Sequence, residues 1–388
     1  MSPQARPYEV NRREFTRLGL GGLGALFAGS TALTACSSSG SSGSTAGTGN
    51  GGSSPGSLAG KTVANSQSQP IEAITAFIAD TDLQAKQAGN GEKIISNNAH
   101  GDDSLQLSQA QGFLTQGVNA VVFWGTATAG WAAFAKQATA QGVGVFTHNA
   151  SALSNATQNI VLNQYQAGYG VGTYAAQWIK QNAGGTCDVG ILTNTTDPQL
   201  VLRGNGFVDA LKKLAPGAQI VGQAPAQTTP QGGSAASNLL SAHPGIKVIL
   251  SASDDPGVGA LSAAREAGHT DPRQFLLGSC DGSDRVLGYI KSGGIYQVTW
   301  DFLFPFSAVQ MERDIESFLR GEKVKPTRLD PGILITASNL SSISELSNNP
   351  TSKGALAIIK KYMTTYSDHA LQTDEPPQNA FPQQFGQQ

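Results

Sequence analysis

Two hydrophobic periodicities alternate along residues 61–300. Short runs such as 120–123 and 143–147 are apolar at most positions, which predicts strands buried on both faces. Between such runs, segments such as 71–88 repeat apolar residues every three or four positions, which predicts helices with one buried face. Because strands and helices follow one another in turn, the pattern predicts parallel sheets covered by helices on both faces.

This rhythm occurs twice, with a second start after a β-rich run at 159–162. The predicted strands are 62–64, 93–96, 120–123 and 143–147 in the first half and 188–192, 219–222, 248–251, 275–278 and 296–299 in the second; the predicted helices are 71–88, 105–116, 130–141, 167–181, 199–214, 233–241, 257–267 and 283–292. The chain is therefore predicted to be α/β, with two similar Rossmann-like parallel-sheet domains.

Polar and aromatic residues follow the predicted strands where the strands end. In parallel sheets these ends meet at one edge, and ligands bind there. If the edges of the two halves face each other, the cleft between them is the expected binding site. The side chains expected to line it from strand ends are Gln67, Gln69, Trp124, His148, Asn149, Ser253, Asp254 and Asp281.

Several of these residues have a structural alternative. Asp281 is favoured as a ligand contact, but an acid there could also cap a helix, and for Asp254 capping is an equal competitor. Trp124 and Trp300 fall at strand ends, which favours stacking on a ligand over core packing. His148 is expected to form a hydrogen-bonding wall rather than a metal site, because the five histidines show no paired spacing.

The N-terminal segment has the layout of a signal peptide. Arg12 and Arg13 precede a weakly apolar stretch, which predicts a signal over residues 1–35, and the paired arginines resemble a twin-arginine export signal. The stretch ends in Leu-Thr-Ala before Cys36 and resembles a bacterial lipobox, so Cys36 is the predicted site of lipid attachment. A retained membrane anchor is the alternative, which the glycines in the stretch disfavour.

Low-complexity segments flank the predicted folded part. Residues 36–59 combine the lipidated Cys with a Ser- and Gly-rich stretch that we expect to be a flexible tether, and 367–388 form a Gln- and Pro-rich tail expected to be disordered. The formal net charge is only −2 and no basic stripe suggests nucleic acid. Besides Cys36 there are only Cys187 and Cys280, which we expect to be small buried residues, with a single disulfide as the alternative.

Four passages then occur in an order and spacing that resemble a known family. They are Arg203-Gly204-Asn205-Gly206-Phe207, the stretch 239–244, Ser253-Asp254-Asp255 with 259–261, and Gly278-Ser279-Cys280-Asp281-Gly282. With them, residues 61–340 resemble the ribose-binding branch of periplasmic sugar-binding proteins, whose type I fold joins two lobes by a three-segment hinge. The resemblance implies one lobe of 60–163 plus 301–327, a second of 164–300 plus 328–345, and hinge positions at 163, 300–301 and 326–328.

The same resemblance assigns roles to individual residues. It places Gln69, Trp124, Asn149 and Ser253 where the family has amide or acid side chains that bind hydroxyl groups, matches Asp281 to a ligand-binding Asp, and puts Trp300 near a hinge Gln. Arg203 matches a structural Arg. Val201 departs from the pattern, because the family commonly has a ligand-binding Arg there.

Charge narrows the expected ligand. The expected cleft offers Asp254, Asp281 and Asp301 against Arg203 alone, so an anionic ligand would lack a bidentate basic clamp. A neutral sugar or polyol is favoured, with a cationic ligand held by aromatic side chains second. Replacing Asp281 by Ala is expected to abolish binding with little loss of folding.

The sequence thus predicts a binding protein and not an enzyme. We expect a monomeric substrate-binding lipoprotein of an ATP-binding-cassette importer, held on the outer face of the cell membrane by Cys36, with a permease and its ATPase subunits as partners and without cofactor or metal. The alternatives are an exported receptor of the same fold for a cationic or signalling ligand and, less favoured, an exported cofactor-bearing enzyme. An enzyme is disfavoured because the sequence shows no nucleophile supported by a base, and no phosphate-binding loop lies between a predicted strand and a predicted helix.

Overall fold

The computed structural model describes residues 57–342, apart from 69–71, 126–128, 149–151, 195–196 and 331, together with residue 357. The predicted signal with Arg12 and Arg13, the predicted lipid site Cys36, nearly all of the tether and the tail at 367–388 lie outside the described residues. Gln69 and Asn149 also lie outside them.

The first sheet has six parallel strands in the order β11-β5-β4-β3-β1-β2. Its strands are β1 (Thr62–Gln67), β2 (Lys93–Asn98), β3 (Ala120–Trp124), β4 (Gly144–His148), β5 (Gln158–Leu162) and β11 (Thr327–Asp330), and its helices are α1 (Glu72–Ala88), α2 (Asp103–Thr115), α3 (Ala129–Ala140) and α9 (Phe304–Leu319). Strands β3 and β4 are buried at every position, as their continuous apolar runs predict.

The second sheet repeats this plan in the order β12-β10-β9-β8-β6-β7, with only β12 antiparallel to its neighbour. Its strands are β6 (Thr186–Thr193), β7 (Gly217–Pro225), β8 (Ile246–Ser251), β9 (Leu276–Asp281), β10 (Tyr296–Asp301) and β12 (Ile333–Thr336), and its helices are α4 (Gln164–Asn182), α5 (Pro198–Leu214), α6 (Thr229–Ala242), α7 (Asp254–Glu266) and α8 (Asp284–Lys291). The predicted α/β class with two parallel-sheet domains is confirmed.

The chain passes between the two sheets three times. The first passage is at Asn163, whose side chain caps α4 by accepting a hydrogen bond from the Gln166 backbone at 2.9 Å. The second is between β10 and α9, and the third lies between β11 and β12. The third passage differs from the expected position at 326–328, because the chain first forms β11 beside β5 in the first sheet and leaves it only after Asp330.

Aromatic side chains line the second passage between the sheets. Phe302 and Phe304 lie 5.9 Å apart between ring centroids, and Phe304 lies 5.5 Å from Trp124 of the first sheet. On the other side, the guanidinium of Arg203 lies 4.6 Å from the centroid of the Phe302 ring. The buried apolar cluster is therefore continuous from one sheet to the other through these rings. Among the described helices, none is long and apolar enough to cross a membrane.

Candidate functional site

Three acids stand at the carboxyl edge of the second sheet, as predicted from strand ends. Asp281 ends β9, Asp301 ends β10, and Asp254 begins α7 directly after Ser253, the residue preceding that helix. In a parallel sheet this edge also carries the amino ends of the helices. The structure therefore brings Ser253, Asp254, Asp281 and Asp301 to one edge.

Asp281 is held by a buried arginine. Arg203, on α5, is 2 % exposed, and its Nη1 donates to Asp281 Oδ1 at 2.8 Å and to the Ala252 carbonyl at 2.7 Å. Its Nε donates to Gln164 Oε1 at 2.6 Å. Three acceptors and the Phe302 ring thus fix the guanidinium, so Arg203 orients Asp281, in agreement with the structural role that the resemblance gives it.

The backbone of Asp281 is in an uncommon conformation. Its φ is 140°, a region that side chains other than glycine rarely adopt, and Gly282 follows at a φ of 76°. Such a conformation costs about 1–3 kcal/mol and persists only where the surroundings impose it. The ion pair with Arg203 and the hydrogen bond of the Asp254 backbone to Asp281 Oδ2, at 3.2 Å, are the contacts that hold it.

Asp254 is engaged on both carboxylate oxygens. Oδ1 accepts from the Thr299 hydroxyl at 3.0 Å and from Ser279, and Oδ2 accepts from the Ser283 backbone at 2.7 Å. The residue is 3 % exposed. In this conformation Asp254 joins β9 and β10 to the start of α8. It does not cap its own helix before Pro256, because Ser253 precedes α7 and no side-chain hydrogen bond caps that helix.

Burial sets the charge of this edge. Burial and then the nearby charge of Asp281 raise the pKa of Asp254, and burial raises the pKa of Asp281 although the Arg203 charge opposes it. Burial also raises the pKa of Asp301 to about 7. Together with Arg203, the group is therefore closer to electrical neutrality than three ionised carboxylates would be.

Asp301 serves the second passage between the sheets. It is 7 % exposed, and its Oδ1 accepts from the Leu303 backbone at 2.7 Å. Leu303 has a left-handed φ of 55°, so this hydrogen bond stabilises the turn that carries the chain into α9.

The predicted stacking tryptophans are both buried. Trp300 is 1 % exposed and its ring packs against Gly170, while Trp124 is 6 % exposed and packs edge-on against Phe77 at 5.1 Å. Their position at strand ends suggested an exposed face, but strand side chains alternate in direction, and both of these join the core cluster. In this conformation neither ring presents a face for stacking on a ligand.

At the edge of the first sheet, Gln67 is half-buried and its Oε1 accepts from Asn98 Nδ2 at 3.3 Å. His148, at the end of β4, is fully buried with its ring 4.2 Å from Phe77 and 4.4 Å from Trp124. His148 Nε2 lies 2.7 Å from Ser307 Oγ, and Ser307 donates to Asp330. His148 therefore links β4 to the second and third passages, rather than forming a wall of a cleft.

His148 predicts a dependence of stability on pH. Burial lowers its pKa to about 3, so the unfolded chain binds this proton more readily than the native protein between about pH 3 and 6.5. The contribution of His148 to the free energy of unfolding is therefore fully present above pH 6.5. Acidification to pH 5 lowers the free energy of unfolding by about 2 kcal/mol through this group. Urea unfolding of the native protein and of His148→Phe between pH 8 and 5 measures it. We expect a shallower pH slope for the variant; equal slopes would contradict the prediction.

Sequence reasoning missed the polar residues that support the acids. Ser279 and Thr299 lie inside β9 and β10 and bind Asp254, and the buried Tyr296 hydroxyl donates to Ser279 at 2.6 Å. A hydroxyl in an otherwise apolar strand was the available signal, because a buried polar group requires a partner. Cys187 and Cys280 are both free thiols, and Cys280 is buried as expected.

Comparison with known proteins places this architecture in a family. Residues 68–303 match the family described as periplasmic binding protein domain, and the chain belongs to that family. The family is made up of solute-binding proteins, which are not enzymes.

Two curated relatives are similar over part of the chain. The ribose import binding protein RbsB of Bacillus subtilis is 28 % identical over 212 residues, which cover 54 % of this chain and 66 % of that protein. The D-apiose import binding protein of Actinobacillus succinogenes is 27 % identical over 197 residues, covering 50 % and 61 %. The chain thus spans slightly less than two thirds of each of these two relatives.

A crystal structure of a galactofuranose binding protein has the same fold. It superposes with a TM-score of 0.66 at 20 % identity, covering 74 % of this chain and 99 % of that one. At this identity the similarity describes the fold.

Proposed function

We propose that this chain is the substrate-binding lipoprotein of an ATP-binding-cassette importer and captures a monosaccharide or related polyol between its two lobes. The observation that carries the proposal is the strained, arginine-held Asp281 at the carboxyl edge of the second sheet. Similarity to ribose and D-apiose import binding proteins supports the sugar assignment.

The hydrogen bonds of Asp281 leave capacity for a ligand. Each of its oxygens accepts one described protein donor, Arg203 on Oδ1 and the Asp254 backbone on Oδ2, and each oxygen has a second lone pair. Its side chain is 14 % exposed. A carboxylate oriented in this way can accept hydrogen bonds from two neighbouring hydroxyl groups, which is the chemistry that a sugar or polyol offers.

Closure is proposed to occur by rotation about the three passages. Asn163 caps α4 at the first, Asp301 holds the left-handed Leu303 at the second, and Asp330 accepts from Arg328 Nε at 2.6 Å just before the third. The two sheets are rigid, so they can rotate relative to each other about these three connections as a hinge. We propose that the contacts with the ligand are complete only in the closed form. We propose that Gln67, Gln69 and Asn149 belong to the first lobe's side of the site, and that the permease recognises the closed form.

Calorimetry with the purified protein tests the ligand class. D-ribose, D-apiose, xylitol, myo-inositol and glycerol are titrated beside a quaternary ammonium compound, and we expect saturable micromolar or tighter binding of at least one sugar or polyol. Failure of all of them would overturn the sugar assignment. Saturable binding of the cationic compound alone would favour a receptor of the same fold for a cationic ligand. The acids Asp254, Asp281 and Asp301 at the sheet edge are compatible with such a ligand.

The export proposal has a separate test in a bacterial host with labelled palmitate. We expect Cys36→Ala to abolish incorporation of the label and release the protein from the membrane, because the thiol is the attachment point. Cys187→Ala, which removes a free thiol elsewhere, is the control and should keep the label. Replacement of Arg12 and Arg13 by Lys is expected to retain the chain in the cytoplasm. Unchanged membrane attachment of Cys36→Ala would show that this residue is not the anchor.

A further inference from the structure

Three glutamates converge on the first lobe, away from the strand ends discussed above. Glu92 lies between α1 and β2, immediately before the first residue of β2, and Glu312 and Glu316 lie one turn apart on α9. One carboxylate oxygen from each lies within 4.8 Å of the others. Since Glu92 precedes a strand, the cluster is at the amino-terminal edge of the first sheet, opposite to the edge where ligands bind in such folds.

The carboxylate at the centre of this cluster is buried without a partner. Glu312 is 2 % exposed, and neither of its oxygens has a hydrogen-bond partner among the described residues. Both carboxylate oxygens of Glu92 are also buried, and neither has a hydrogen-bond partner among the residues that the structure describes. Buried carboxylates normally have donors or a cation, because the cost of removing the charge from water is several kcal/mol otherwise.

The charges around the cluster leave a deficit of positive charge. Glu316 Oε2 pairs with Arg320 Nη1 at 3.1 Å, and its Oε1 accepts from Asn90 Nδ2 at 2.6 Å. Asp82, which also faces Glu312, is already paired with Lys86 on α1. If all three glutamates are ionised, they carry three negative charges, and Arg320 compensates one of them. Two negative charges then remain.

We propose that Glu92, Glu312 and Glu316 bind a calcium ion that ties the α1–β2 connection to α9. The donors are all carboxylate oxygens, which hard divalent cations prefer, and the uncompensated charge equals that of one such ion. Calcium accepts six to eight oxygens in flexible geometry, so bidentate glutamates and water can complete its coordination, whereas magnesium demands a strict octahedron.

The site is structural and independent of sugar binding. Helix α9 is the first element after the second passage between the sheets, and it packs on α1. An ion shared by α9 and the loop before β2 therefore anchors this helix to the first lobe. Because an ion that binds only the native state stabilises it in proportion to its occupancy, stability reports the binding directly.

Thermal unfolding of the full chain after EDTA treatment, with calcium or magnesium added back, tests the proposal. We expect calcium at about one hundred times its dissociation constant to raise Tm by about 5 °C, and magnesium at the same concentration to raise it less. Glu312→Gln is expected to weaken calcium binding at least 10-fold in calorimetry. Glu322→Gln, which changes an exposed glutamate beyond the end of α9, is the matched control and should bind calcium as the native chain does.

The alternative is a proton shared between Glu92 and Glu312 in place of an ion. It predicts a Tm that is insensitive to calcium and rises on acidification, and that result would overturn the calcium site. Equal loss of binding in Glu312→Gln and Glu322→Gln would also overturn it, since it would indicate diffuse surface binding. Should Glu312→Gln not fold, the luminescence of directly excited terbium on the native chain decides: we expect one saturable site from which calcium displaces terbium, and absence of saturable terbium binding contradicts it.

Discussion

Asp281→Ala is expected to lower the free energy of unfolding by about 3 kcal/mol and to abolish binding of the sugar or polyol. The loss of stability follows from the ion pair, because removing the acid leaves the buried guanidinium of Arg203, whose side chain is 3 % exposed, without its countercharge. Alanine also keeps the strained backbone at this position without the contacts that hold it. Urea unfolding gives the stability change, and calorimetry with the bound sugar gives the affinity.

Asp255→Ala is the matched control for that experiment. Asp255 also pairs with an arginine, but Arg285 and Asp255 are 40 % and 23 % exposed, and such pairs contribute at most about 1 kcal/mol. A stability change in Asp281→Ala as small as that of Asp255→Ala would contradict the role of the buried pair. Normal affinity in a folded Asp281→Ala protein would remove Asp281 from the binding site. The buried pair also revises the sequence-based expectation that the fold tolerates this substitution.

Gly168→Ala is expected to destabilise the second lobe by about 3 kcal/mol or more. A Cβ at this position on α4 would lie 1.9 Å from the carbonyl oxygen of Arg203 on α5, so the two helix backbones would have to separate. Gly206 on α5 makes the reciprocal approach, with a Cβ 2.4 Å from the Tyr165 carbonyl. Because α5 carries Arg203, the separation would also displace Asp281, and we expect weaker ligand binding together with the lower Tm.

Gly288→Ala supplies the opposite expectation for the same type of substitution. Gly288 is an exposed position inside α8 with nothing within 4 Å of its added Cβ, so the gain in helix propensity should stabilise the protein by up to about 1 kcal/mol. Thermal or urea unfolding of both variants distinguishes the two effects. Similar stability changes of the same sign would show that the contact between α4 and α5 does not determine the cost at Gly168.

The strand–helix order was predictable wherever burial produced a strong periodic signal. The strands at 120–123 and 143–147 were recovered because both of their faces are covered, which leaves a continuous apolar run. Strands β11 and β12 and helix α9 were not predicted, because the alternation of strands and helices was followed only as far as residue 300. The resemblance placed the third passage at 326–328, whereas the chain leaves the first sheet only after Asp330.

The position of the three acids at one sheet edge was predictable for a similar reason. A strand end locates a residue at the correct edge of a sheet, and this placed Asp254, Asp281 and Asp301 together. It does not fix the direction of a side chain, so Trp124 and Trp300 were expected to face a ligand although they lie in the core. The carboxylates of Glu92, Glu312 and Glu316 had no sequence signal, because they meet only through the packing of α9 against the loop before β2.

The sequence by itself determined the class of fold, the duplication of the sheet and the acids at its carboxyl edge, because these follow from the local periodicity of burial. Only the tertiary structure decided that Asp281 is held by Arg203, that Asp254 is occupied by internal donors, and that three glutamates meet on one lobe. Each of these contacts joins residues far apart along the chain, and their charges and hydrogen bonds depend on distances that no local pattern encodes.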